Sequence, residues 1–552
     1  MPIIDKQLVS EYDDPSRYKP SVTCQSVVQK IRENIALHGD AVWMANLTTG
    51  KSISYAELAR IIDQTSFSLR RRGFRPCDVV AIMATNHLEV PIIFFAAWKA
   101  GGGCSALNVG LFVEDIRSRI IETRANFIVT DEQRADKVLQ AIQGLNMQSF
   151  VIGQAEGHTP VDQLLQDDGQ DGEQYLQFDM DPPAWLTYSS GTTGKAKGIL
   201  HTHYSLSPYV QPSDNRALES EMVGQKFMFN HSMIHGTGLF SFMRSTVDHR
   251  NTFTFSNANL EALLQGIHSI KPSCISIFPY EMAEICLHPQ LDRYDLTSVE
   301  TIIYSGCANL PLFERQIFGK MQNLRNLISM YGMSETMLIT LDNPKPRTNS
   351  TMDRNKIIKS HLVGCAGKVL PFVKLKIIDP NDGNKLGPNE IGEIVVHTPF
   401  LMKGYLNQTK KWHSNGWFNT GDQGYYDAEG HLFVIGYKEL IKYKSRQVAP
   451  SNIEAQLMTH SAVKDVAVVG LPHGVDGEHP LAYVVIKMDD QGRPLVTAKE
   501  LIDYTNKRVV DEEQLRGGVR FIEHIPRNKF GKVVRHQLVA NLKREEASSR
   551  SS

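Results

Sequence analysis

The hydrophobic pattern between Asp78 and about Ile199 alternates short apolar runs with stretches of helical periodicity. VVAIM is followed by a helical segment through PIIFFAAWKA, and NFIVTD is followed by a segment rich in Ala, Lys and Leu. Strands and helices in this order are typical of βαβ units around a mainly parallel sheet. The same rhythm resumes at CISIFPY and at VETIIYSG, where each apolar run leads into a turn. The pattern therefore predicts an α/β fold.

The pattern changes from about Val369. KLKIIDP, GEIVVHT and HLFVIGY are short alternating runs separated by Gly, Asn, Asp and Pro, which indicates antiparallel sheet. After IKYKS the chain has the apolar runs AVVG, LAYVVIKM and GVRFIEH, with amphipathic stretches near Ile453–Thr459 and Ala498–Arg508. We therefore predict a large N-terminal domain over residues 1–437 and a smaller domain over residues 438–552, with the hinge at Lys438.

Length and charge narrow the class of protein. A chain of 552 residues is long enough for two or more domains. Its 59 Lys and Arg nearly balance its 60 Asp and Glu, so no global field gathers nucleic acid or anionic lipid. A polyanionic ligand must therefore be held by local groups. The seven cysteines are odd in number and contain no C-x-x-C pair, which favours a reducing compartment and argues against a zinc site.

The sequence shows no sign of export or of a membrane span. The opening MPIIDKQLVSEYDD is acidic and polar where a secretory signal needs apolar residues. The most apolar run, Pro91–Trp98, is well short of the roughly 20 residues that a membrane-spanning helix needs, so we expect a buried helix there. The last residues, EEASSRSS, do not form the Ser-Lys-Leu peroxisomal signal. The expected location is the cytoplasm.

The segment Thr187–Gly198, TYSSGTTGKAKG, has the composition of a phosphate-binding loop. It contains three glycines, two serines, three threonines and two lysines. Glycines let backbone N–H groups form a concave nest, and hydroxyl and ammonium groups complete a cradle for phosphate oxygens. The spacing is not that of a Walker A loop. Such a composition is also typical of a solvated linker, so the loop needs support from elsewhere in the chain.

That support comes from further motifs in a fixed order. They are MIHGTG at Met233–Gly238, YSGCA at Tyr304–Ala308, MYGMSET at Met330–Thr336, GEIVVH at Gly392–His397, GWFNTGD at Gly416–Asp422, IKYK at Ile441–Lys444 and RNKFGK at Arg527–Lys532. Together with the loop they resemble the acyl-adenylate-forming superfamily over essentially the whole chain, and most closely its luciferase and 4-coumarate:CoA ligase branch. The resemblance implies a large domain of mainly parallel sheets with helices and a small β-barrel-like part, followed by a small, mobile α+β domain.

The resemblance also implies how ATP and Mg²⁺ are bound. The phosphates are expected on the loop, the adenine between Tyr331 and a glycine turn, both ribose hydroxyls on Asp422, and Mg²⁺ on Glu335. An ionised carboxylate offers two acceptor oxygens, and Mg²⁺ prefers oxygen ligands. The remaining nucleotide-binding residues implied are Ser189, Ser190, Gly191, Thr192, Thr193, Gly194, Lys195, Lys197, Gly306, Cys307, Ala308, Gly332 and Ser334. For Glu335 the alternative is an exposed surface carboxylate, and for Asp422 it is a turn or helix cap.

Three further residues are implied to act in catalysis. Lys532 would reach the α-phosphate and the attacking carboxylate during adenylation, and His235 would lie beside the acyl site. Pyrophosphate must leave before a thiol can approach, so the small domain would swing about Lys438 and present Lys442 instead. The thiol expected is that of CoA. An ordinary buried histidine remains open for His235, and a charged linker residue for Lys438.

One departure from the family pattern bears on activity. Gly436 occupies the position at which the family has an arginine that contacts the nucleotide. Losing such a contact weakens binding by about 1.5–3 kcal/mol. The leading hypothesis is an acid:CoA ligase for a medium-chain, long-chain or aromatic carboxylic acid. The alternatives are a luciferase-like oxygenase, an adenylating enzyme that serves a carrier protein, and a nucleotide-binding pseudoenzyme.

Overall fold

The computed structural model describes residues 3–4, 6–9, 27–36, 39–167, 181–189, 197–207, 224–257, 259–305, 311–342, 362–380, 382–407, 416–437, 441–443, 446–448, 450–473, 476–489, 491–509, 511–527, 533–535, 537–540 and 542. The strands in chain order are β1 (Ile3–Ile4), β2 (Gln7–Val9), β3 (Val42–Asn46), β4 (Ser52–Ser54), β5 (Val79–Met83), β6 (Gly103–Ala106), β7 (Phe127–Asp131), β8 (Gln148–Ile152), β9 (Thr159–Pro160), β10 (Pro183–Ser189), β11 (Lys197–Thr202), β12 (Lys226–Phe229), β13 (Asn251–Thr254), β14 (Cys274–Ile277), β15 (Thr301–Tyr304), β16 (Asn326–Met333), β17 (Met337–Leu341), β18 (Lys368–Val369), β19 (Lys374–Ile378), β20 (Gly392–His397), β21 (Gly404–Tyr405), β22 (Phe418–Tyr426), β23 (Leu432–Tyr437), β24 (Ile441–Tyr443), β25 (Arg446–Val448), β26 (Val463–His473), β27 (Gly477–Ile486) and β28 (Gly518–Phe521).

The α-helices of the described residues lie mainly between and outside the sheets. They are Val27–Ile35, Tyr55–Arg71, Glu89–Lys99, Val113–Thr123, Ala135–Ile142, Asp162–Leu165, His203–Leu206, Gly236–Val247, Leu260–Ile270, Pro279–Leu287, Pro311–Lys320, Pro450–Leu457 and Ala498–Asn506. The strands and helices predicted from the hydrophobic pattern are all present.

Two large sheets carry the N-terminal part of the chain. In the first, the strands follow the order β21-β11-β10-β6-β5-β7-β8-β9. Strands β5 to β10 pair in parallel, as the sequence predicts, whereas β11 and β21 extend the sheet in antiparallel fashion beyond β10. The phosphate-loop segment therefore connects two neighbouring antiparallel strands of a mostly parallel sheet.

The second sheet follows the order β18-β17-β16-β15-β14-β12-β13-β3-β4. Strands β3, β13, β12, β14, β15 and β16 pair in parallel. β16 then continues past this parallel region and pairs antiparallel with β17. Parallel strands bring their carboxyl ends to one edge of a sheet, which is where α/β folds bind ligands.

The largest hydrophobic cluster forms around the helix Glu89–Lys99. Phe94, Phe95 and Trp98 have no exposed surface, and both phenylalanine rings contact Phe242 of the helix Gly236–Val247. The helix is apolar on every face because it lies inside the core, so the predicted buried helix is confirmed. Within the described ranges, no helix combines the length and the apolar character that crossing a bilayer requires.

Two further sheets are built mainly from the C-terminal half of the chain, and β1 and β2 from the N-terminal end form one edge of the first. The order β1-β2-β19-β20-β22-β23 is antiparallel at every pairing, which confirms the change of pattern near Val369. The last sheet has the order β25-β24-β27-β26, with β28 parallel to β27. Two hydrophobic clusters there are built from residues between Ile441 and Leu542, so this part of the chain has a core of its own. The exact domain boundary at Lys438 stays a prediction, because residues 438–440 lie outside the described residues.

Candidate active site

The ends of the phosphate-loop segment are fixed by a regular ladder. Ser189 at the end of β10 pairs with Lys197 at the start of β11, and the ladder continues without interruption to the pair Leu186–Leu200. The predicted phosphate ligands between these ends lie outside the described residues; they are Ser190, Gly191, Thr192, Thr193, Gly194 and Lys195. The described part therefore shows where the loop leaves the sheet and where it returns.

The residues on either side of β21 are hydrogen-bonded to the beginning of β11, where the phosphate-loop segment returns to the sheet. Leu406 donates its backbone N–H to the carbonyl of Gly198 at 2.8 Å, and Lys403 donates to the carbonyl of Leu200 at 2.8 Å. A Cβ atom on Gly198 would lie 2.6 Å from Cδ1 of Leu406, so a side chain at this position would force the Leu406 side chain to move. The Nζ of Lys197 lies 5.2 Å from the ring centroid of Tyr405, within the range of a cation–π contact.

Glu335 lies beside this strand pair. Glu335 is 6% exposed. The alternative interpretation of Glu335 as an exposed surface carboxylate is therefore wrong. Tyr405 donates its hydroxyl to Oε1 of Glu335 at 3.2 Å, and the backbone N–H of Met402 donates to the Glu335 carbonyl at 2.8 Å. Burial, followed by the charge of Glu335, raises the pKa of Tyr405 far above its usual value, so the hydroxyl keeps its proton as a donor.

His201 holds the segment that leads to Glu335. The ring is fully buried and lies against Trp185, with centroids 5.5 Å apart and planes at 25°. Burial lowers the pKa of His201 to about 4, so the ring is neutral near pH 7. Its Nε2 lies 2.8 Å from the carbonyl oxygen of Ser334, and because a carbonyl only accepts, Nε2 carries the proton and donates. Ser334 is thus held through its backbone.

Tyr331 and Asp422 are joined directly. Tyr331 donates its hydroxyl to Oδ2 of Asp422 at 2.7 Å. Asp422 is 2% exposed, and its backbone N–H donates to the Thr420 hydroxyl at 3.1 Å. The predicted adenine-binding and ribose-binding residues are therefore neighbours, although 91 positions separate them in the chain.

Gly332 lies in the part of β16 that pairs with β17. Tyr331 lies opposite Thr340 and Gly332 opposite Leu338, so β17 has a bulge at Ile339 beside these two residues. A Cβ atom on Gly332 would lie 2.0 Å from the carbonyl oxygen of Met337, which leaves no room for a side chain. Gly306, Cys307 and Ala308 lie outside the described residues.

His235 is the residue before the helix Gly236–Val247. It is half-buried, and its Nδ1 lies 3.3 Å from the hydroxyl of Thr237. A Cβ atom on Gly236 would make an ordinary contact with the ring of Trp185 at 3.5 Å, so this helix start packs on the same tryptophan that supports His201. His235 thus lies near the group formed by Trp185, His201 and Ser334.

The predicted residues of the small domain are only partly described. Lys442 lies in β24, whose backbone pairs with β25, but its side chain is not described. Lys438 and Lys532 lie outside the described residues. Arg527, the first residue of the RNKFGK motif, forms a β-bridge with Val533 and an ion pair with Asp465 at 2.5 Å.

Two residues that contact the predicted site were not found from the sequence. Tyr405 and His201 stand in FLMKGYLN and GILHTHYS, neither of which has a spacing typical of a ligand site. The sequence around His201 shows a histidine on an apolar strand. That pattern is also typical of a histidine packed in the core, so it does not by itself indicate a site residue. Their importance depends on contacts with Glu335 and Ser334, which are distant in the chain.

Comparisons with known proteins identify the family of this chain. A model of the AMP-binding enzyme family matches residues 31–406, and a model of the AMP-binding enzyme C-terminal domain matches residues 452–532. Fold and site together therefore define an enzyme that binds a nucleotide. The chain belongs to the AMP-binding enzyme family, and the resemblance to the acyl-adenylate-forming superfamily is confirmed.

Individual proteins show the same relationship. "4-coumarate--CoA ligase-like 1" of Arabidopsis thaliana is 29% identical and covers 97% of both chains. "Peroxisomal OPC-8:0-CoA ligase 1" of the same plant is 27% identical and covers 91% of both chains. The anthranilate CoA ligase AuaEII, solved with anthranoyl-AMP, has a TM-score of 0.81 at 19% identity, covering 95% of this chain and 98% of its own, and shows the same fold.

Proposed function

We propose that this protein is an acid:CoA ligase that forms AMP. It would activate a medium-chain, long-chain or aromatic carboxylic acid as an acyl-adenylate, release pyrophosphate, and transfer the acyl group to CoA with release of AMP. The observation that carries the proposal is the convergence of Tyr331, Glu335 and Asp422, since β16 leads from the first to the second and the third is hydrogen-bonded to the first. The proposed ligands of the base, the metal and the ribose would thereby serve one nucleotide.

Asp422 and Tyr331 would orient the nucleoside. A carboxylate has two oxygens with several lone pairs, so Asp422 can accept from ribose hydroxyls while Tyr331 donates to Oδ2. The same hydrogen bond fixes the tilt of the Tyr331 ring, and a ring fixed before ATP arrives loses little entropy on stacking with adenine. These two residues would set the direction in which the triphosphate extends from the ribose.

The phosphate end would be held by positive charge and by a metal ion. Lys197 begins β11 and Ser189 ends its partner strand β10. Glu335 contacts the neighbouring strand β21, because Tyr405 of that strand donates its hydroxyl to the Glu335 carboxylate. Glu335 fits Mg²⁺ because it is a buried carboxylate, the hard oxygen donor that this ion prefers. When bound, Mg²⁺ would stabilise the negative charge that builds on the phosphate oxygens. Tyr405 would hold the carboxylate in position.

The two half-reactions would use different lysines. Lys532 would stabilise charge while the carboxylate attacks the α-phosphorus, and Lys442 would act after the small domain has turned about Lys438. His235 would border the carboxylate, because the start of its helix packs on Trp185 beside His201. The supporting observation is that the small domain has its own hydrophobic clusters, which is what a domain that moves as a unit requires.

The decisive experiment identifies the products. Purified protein is incubated with ATP, Mg²⁺ and a panel of fatty and aromatic acids, and pyrophosphate release is measured before and after CoA is added. We expect acid-dependent pyrophosphate first, then AMP and an acyl thioester once CoA is present. ADP and phosphate as products would overturn the proposal, as would the absence of acid-dependent pyrophosphate release for every acid in a folded protein. An Asp422→Asn variant serves as the matched control.

We also propose that the enzyme works in the cytoplasm. The support for this is the seven widely spaced cysteines without a C-x-x-C pair, which favour a reducing compartment, whereas one relative bears the name of a peroxisomal enzyme. Imaging of a fluorescent fusion with a free C-terminus tests the location. Co-localisation with a peroxisomal marker would contradict it.

A further inference from the structure

One carboxylate contacts the chain at both ends of the phosphate-loop segment. Glu122 lies near the end of the helix Val113–Thr123. Its Oε2 accepts the hydroxyl of Tyr188 at 2.7 Å, and its Oε1 accepts from Nδ2 of Asn407 at 3.3 Å. Tyr188 stands one position before Ser189, where the loop leaves β10, and Asn407 follows β21, which pairs with β11 at the other end of the loop. Glu122 therefore connects the two sides of the loop.

The contacts of Glu122 begin and end on one row of residues across three strands. Tyr188 of β10 lies opposite Gly198 of β11, and the Gly198 carbonyl accepts the backbone N–H of Leu406 at 2.8 Å. Asn407 is the next residue and has a φ of 57°, a left-handed conformation that asparagine adopts more readily than most residues. The loop leaves β10 and enters β11 one position beyond this row. Glu122 thus bridges the row at the position where the loop begins and ends.

Apolar packing holds the helix Val113–Thr123 against the same strands. Ile116 and Ile120 of this helix are buried in a cluster that includes Leu186 of β10. Leu406 packs against the same cluster. The carboxylate is therefore presented by a helix that is anchored to the sheet, which is a more rigid support than a surface loop.

The side chain of Tyr188 lies between a cation and an anion of this helix. The guanidinium carbon of Arg119 is 4.3 Å from the centroid of the Tyr188 ring, within the range of a cation–π contact. Burial, followed by the hydrogen bond to Glu122, raises the pKa of Tyr188 far above its usual value, so the hydroxyl keeps its proton as a donor. The helix therefore orients both the ring and the hydroxyl of Tyr188.

A second tyrosine–glutamate pair provides a contrast. Tyr294 donates its hydroxyl to the carboxylate of Glu261, and the other oxygen of Glu261 lies 2.9 Å from Nε2 of His288. Tyr294 and His288 belong to one short stretch after the helix Pro279–Leu287, in which no predicted ligand-binding residue stands. Glu261 therefore joins local surface groups, whereas the partners of Glu122 come from both sides of the phosphate loop.

We propose that Glu122 is a positioning residue for the phosphate loop and that it acts on ATP through Tyr188 and Asn407. This inference rests on the proposed function, in which the loop holds the phosphates of ATP. A concave nest of backbone N–H groups depends on the separation of its two ends. The carboxylate would hold the ends at that separation before the phosphates arrive, so the loop would lose less conformational entropy on binding.

Nucleotide binding distinguishes this role from a general effect on folding. The Kd values of ATP and of AMP are measured by calorimetry with Mg²⁺ present, for the full-length protein and for Glu122→Ala. AMP lacks the two outer phosphates, so its Kd depends on Tyr331 and Asp422 and should not change. The Kd of ATP should rise by about tenfold, the lower end of what the loss of a hydrogen bond to a charged group produces. Glu261→Ala is the matched control and should change neither constant.

Three further variants resolve the two hydrogen bonds. Glu122→Gln retains one amide oxygen as an acceptor, so its Kd for ATP should lie between those of Glu122→Ala and the unmodified protein. Tyr188→Phe keeps the ring beside Arg119, and Asn407→Gly keeps the left-handed backbone without the amide. Each should weaken ATP binding alone but add nothing in the Glu122→Ala background, because its bond is already absent there. Fully additive losses would overturn the proposal.

Failure of this inference is distinguishable from failure of the proposed function. If the unmodified protein binds ATP no more tightly than AMP, the loop does not hold the outer phosphates and both proposals are wrong. If the preference for ATP is present and survives in Glu122→Ala, only the positioning role is wrong. Equal weakening of ATP and AMP binding in Glu122→Ala would indicate a general structural effect and would also overturn the positioning role.

Discussion

The hydroxyl of Tyr331 donates to Oδ2 of Asp422 at 2.7 Å, across two different sheets. β16 belongs to the nine-stranded sheet and β22 to the antiparallel six-stranded sheet, so this bond connects the two sheets at the proposed nucleotide site. The carboxylate is nearly inaccessible to water, which strengthens a hydrogen bond to its charge. The strength of this bond leads to the first prediction.

Removing the Tyr331 hydroxyl should weaken ATP binding. Tyr331→Phe keeps the ring for adenine but leaves Oδ2 of Asp422 without this donor. A hydrogen bond to a charged group contributes about 1.5–3 kcal/mol, so we expect KM for ATP to rise by about tenfold or more with a smaller change in kcat. Tyr294→Phe is the control, because Tyr294 also donates to a carboxylate, that of Glu261, but at the surface. Equal effects of the two changes on KM would contradict the assigned role.

Tyr405→Phe should raise the Mg²⁺ concentration needed for half-maximal pyrophosphate release. The hydroxyl positions Oε1 of Glu335, and loss of a group that orients a metal ligand typically costs about 10–100-fold in metal affinity. The phenylalanine ring keeps the contact with Lys197, so phosphate binding should change less. A Mg²⁺ titration at fixed ATP measures the effect. An unchanged Mg²⁺ requirement would mean that Glu335 does not hold the ion.

Lys532 and Lys442 should affect opposite half-reactions. Lys532→Ala is expected to slow adenylate formation by about 10²–10³, the scale of one preorganised electrostatic contact, and to leave thioester formation from supplied acyl-adenylate nearly intact. Lys442→Ala should do the reverse. Single-turnover measurements of each step resolve the two effects. Equal damage to both steps by each variant, with folding verified, would show that the domain does not alternate.

Gly436→Arg should tighten ATP binding. Gly436 lies opposite Gln423 in the ladder of β22 and β23, and the neighbouring pair is Asp422 with Tyr437. An arginine there would regain the nucleotide contact that the family pattern places at this position, provided the backbone accepts a side chain. Gly436→Ala separates the backbone effect from the charge. Unchanged or weaker affinity in a well-folded arginine variant would count against the alignment.

Because His201 is buried as a neutral ring, it should lower the free energy of unfolding as the pH falls. Its pKa is lowered to about 4 in the folded state, so between about pH 6.5 and 4 the unfolded chain binds the extra proton and the folded chain does not. The stability contributed by the neutral ring is therefore complete above about pH 6.5 and is lost progressively towards pH 4.

His201→Phe keeps a flat ring against Trp185 but does not titrate. Its melting temperature should be lower at pH 7.5, because the Ser334 carbonyl loses its donor, and should depend less steeply on pH between 6.5 and 4. Thermal unfolding across this range compares the two proteins. Parallel curves would show that His201 does not remain neutral when buried.

The sequence predicted what is encoded locally. The strand runs, the buried helix around Phe94 and the change to antiparallel sheet near Val369 follow from alternation of apolar and polar residues within a few positions. Tyr331, Gly332, Ser334 and Glu335 were assigned together through the family resemblance, because they share one short motif. Asp422 was assigned through family resemblance, since no pattern within the chain links it to Tyr331.

The remaining site contacts depend on tertiary packing. Tyr405 contacts Glu335 over a separation of 70 positions, and His201 contacts Ser334 over 133. Such pairs are created when β11 and β21, which pair in one sheet, come to lie beside the end of β16, which belongs to another sheet, and periodicity carries no information about them. The residues that support a ligand are therefore harder to predict than those that touch it.

The paired ends of the phosphate-loop segment have a consequence for evolution and engineering. Because Ser189 and Lys197 are paired in the β10–β11 ladder, the chain between them connects two defined points of the sheet. Loops from other family members could be exchanged between these points as cassettes of matching length. A residue added within the ladder itself would instead turn each following side chain to the other face and carry His201 away from Trp185.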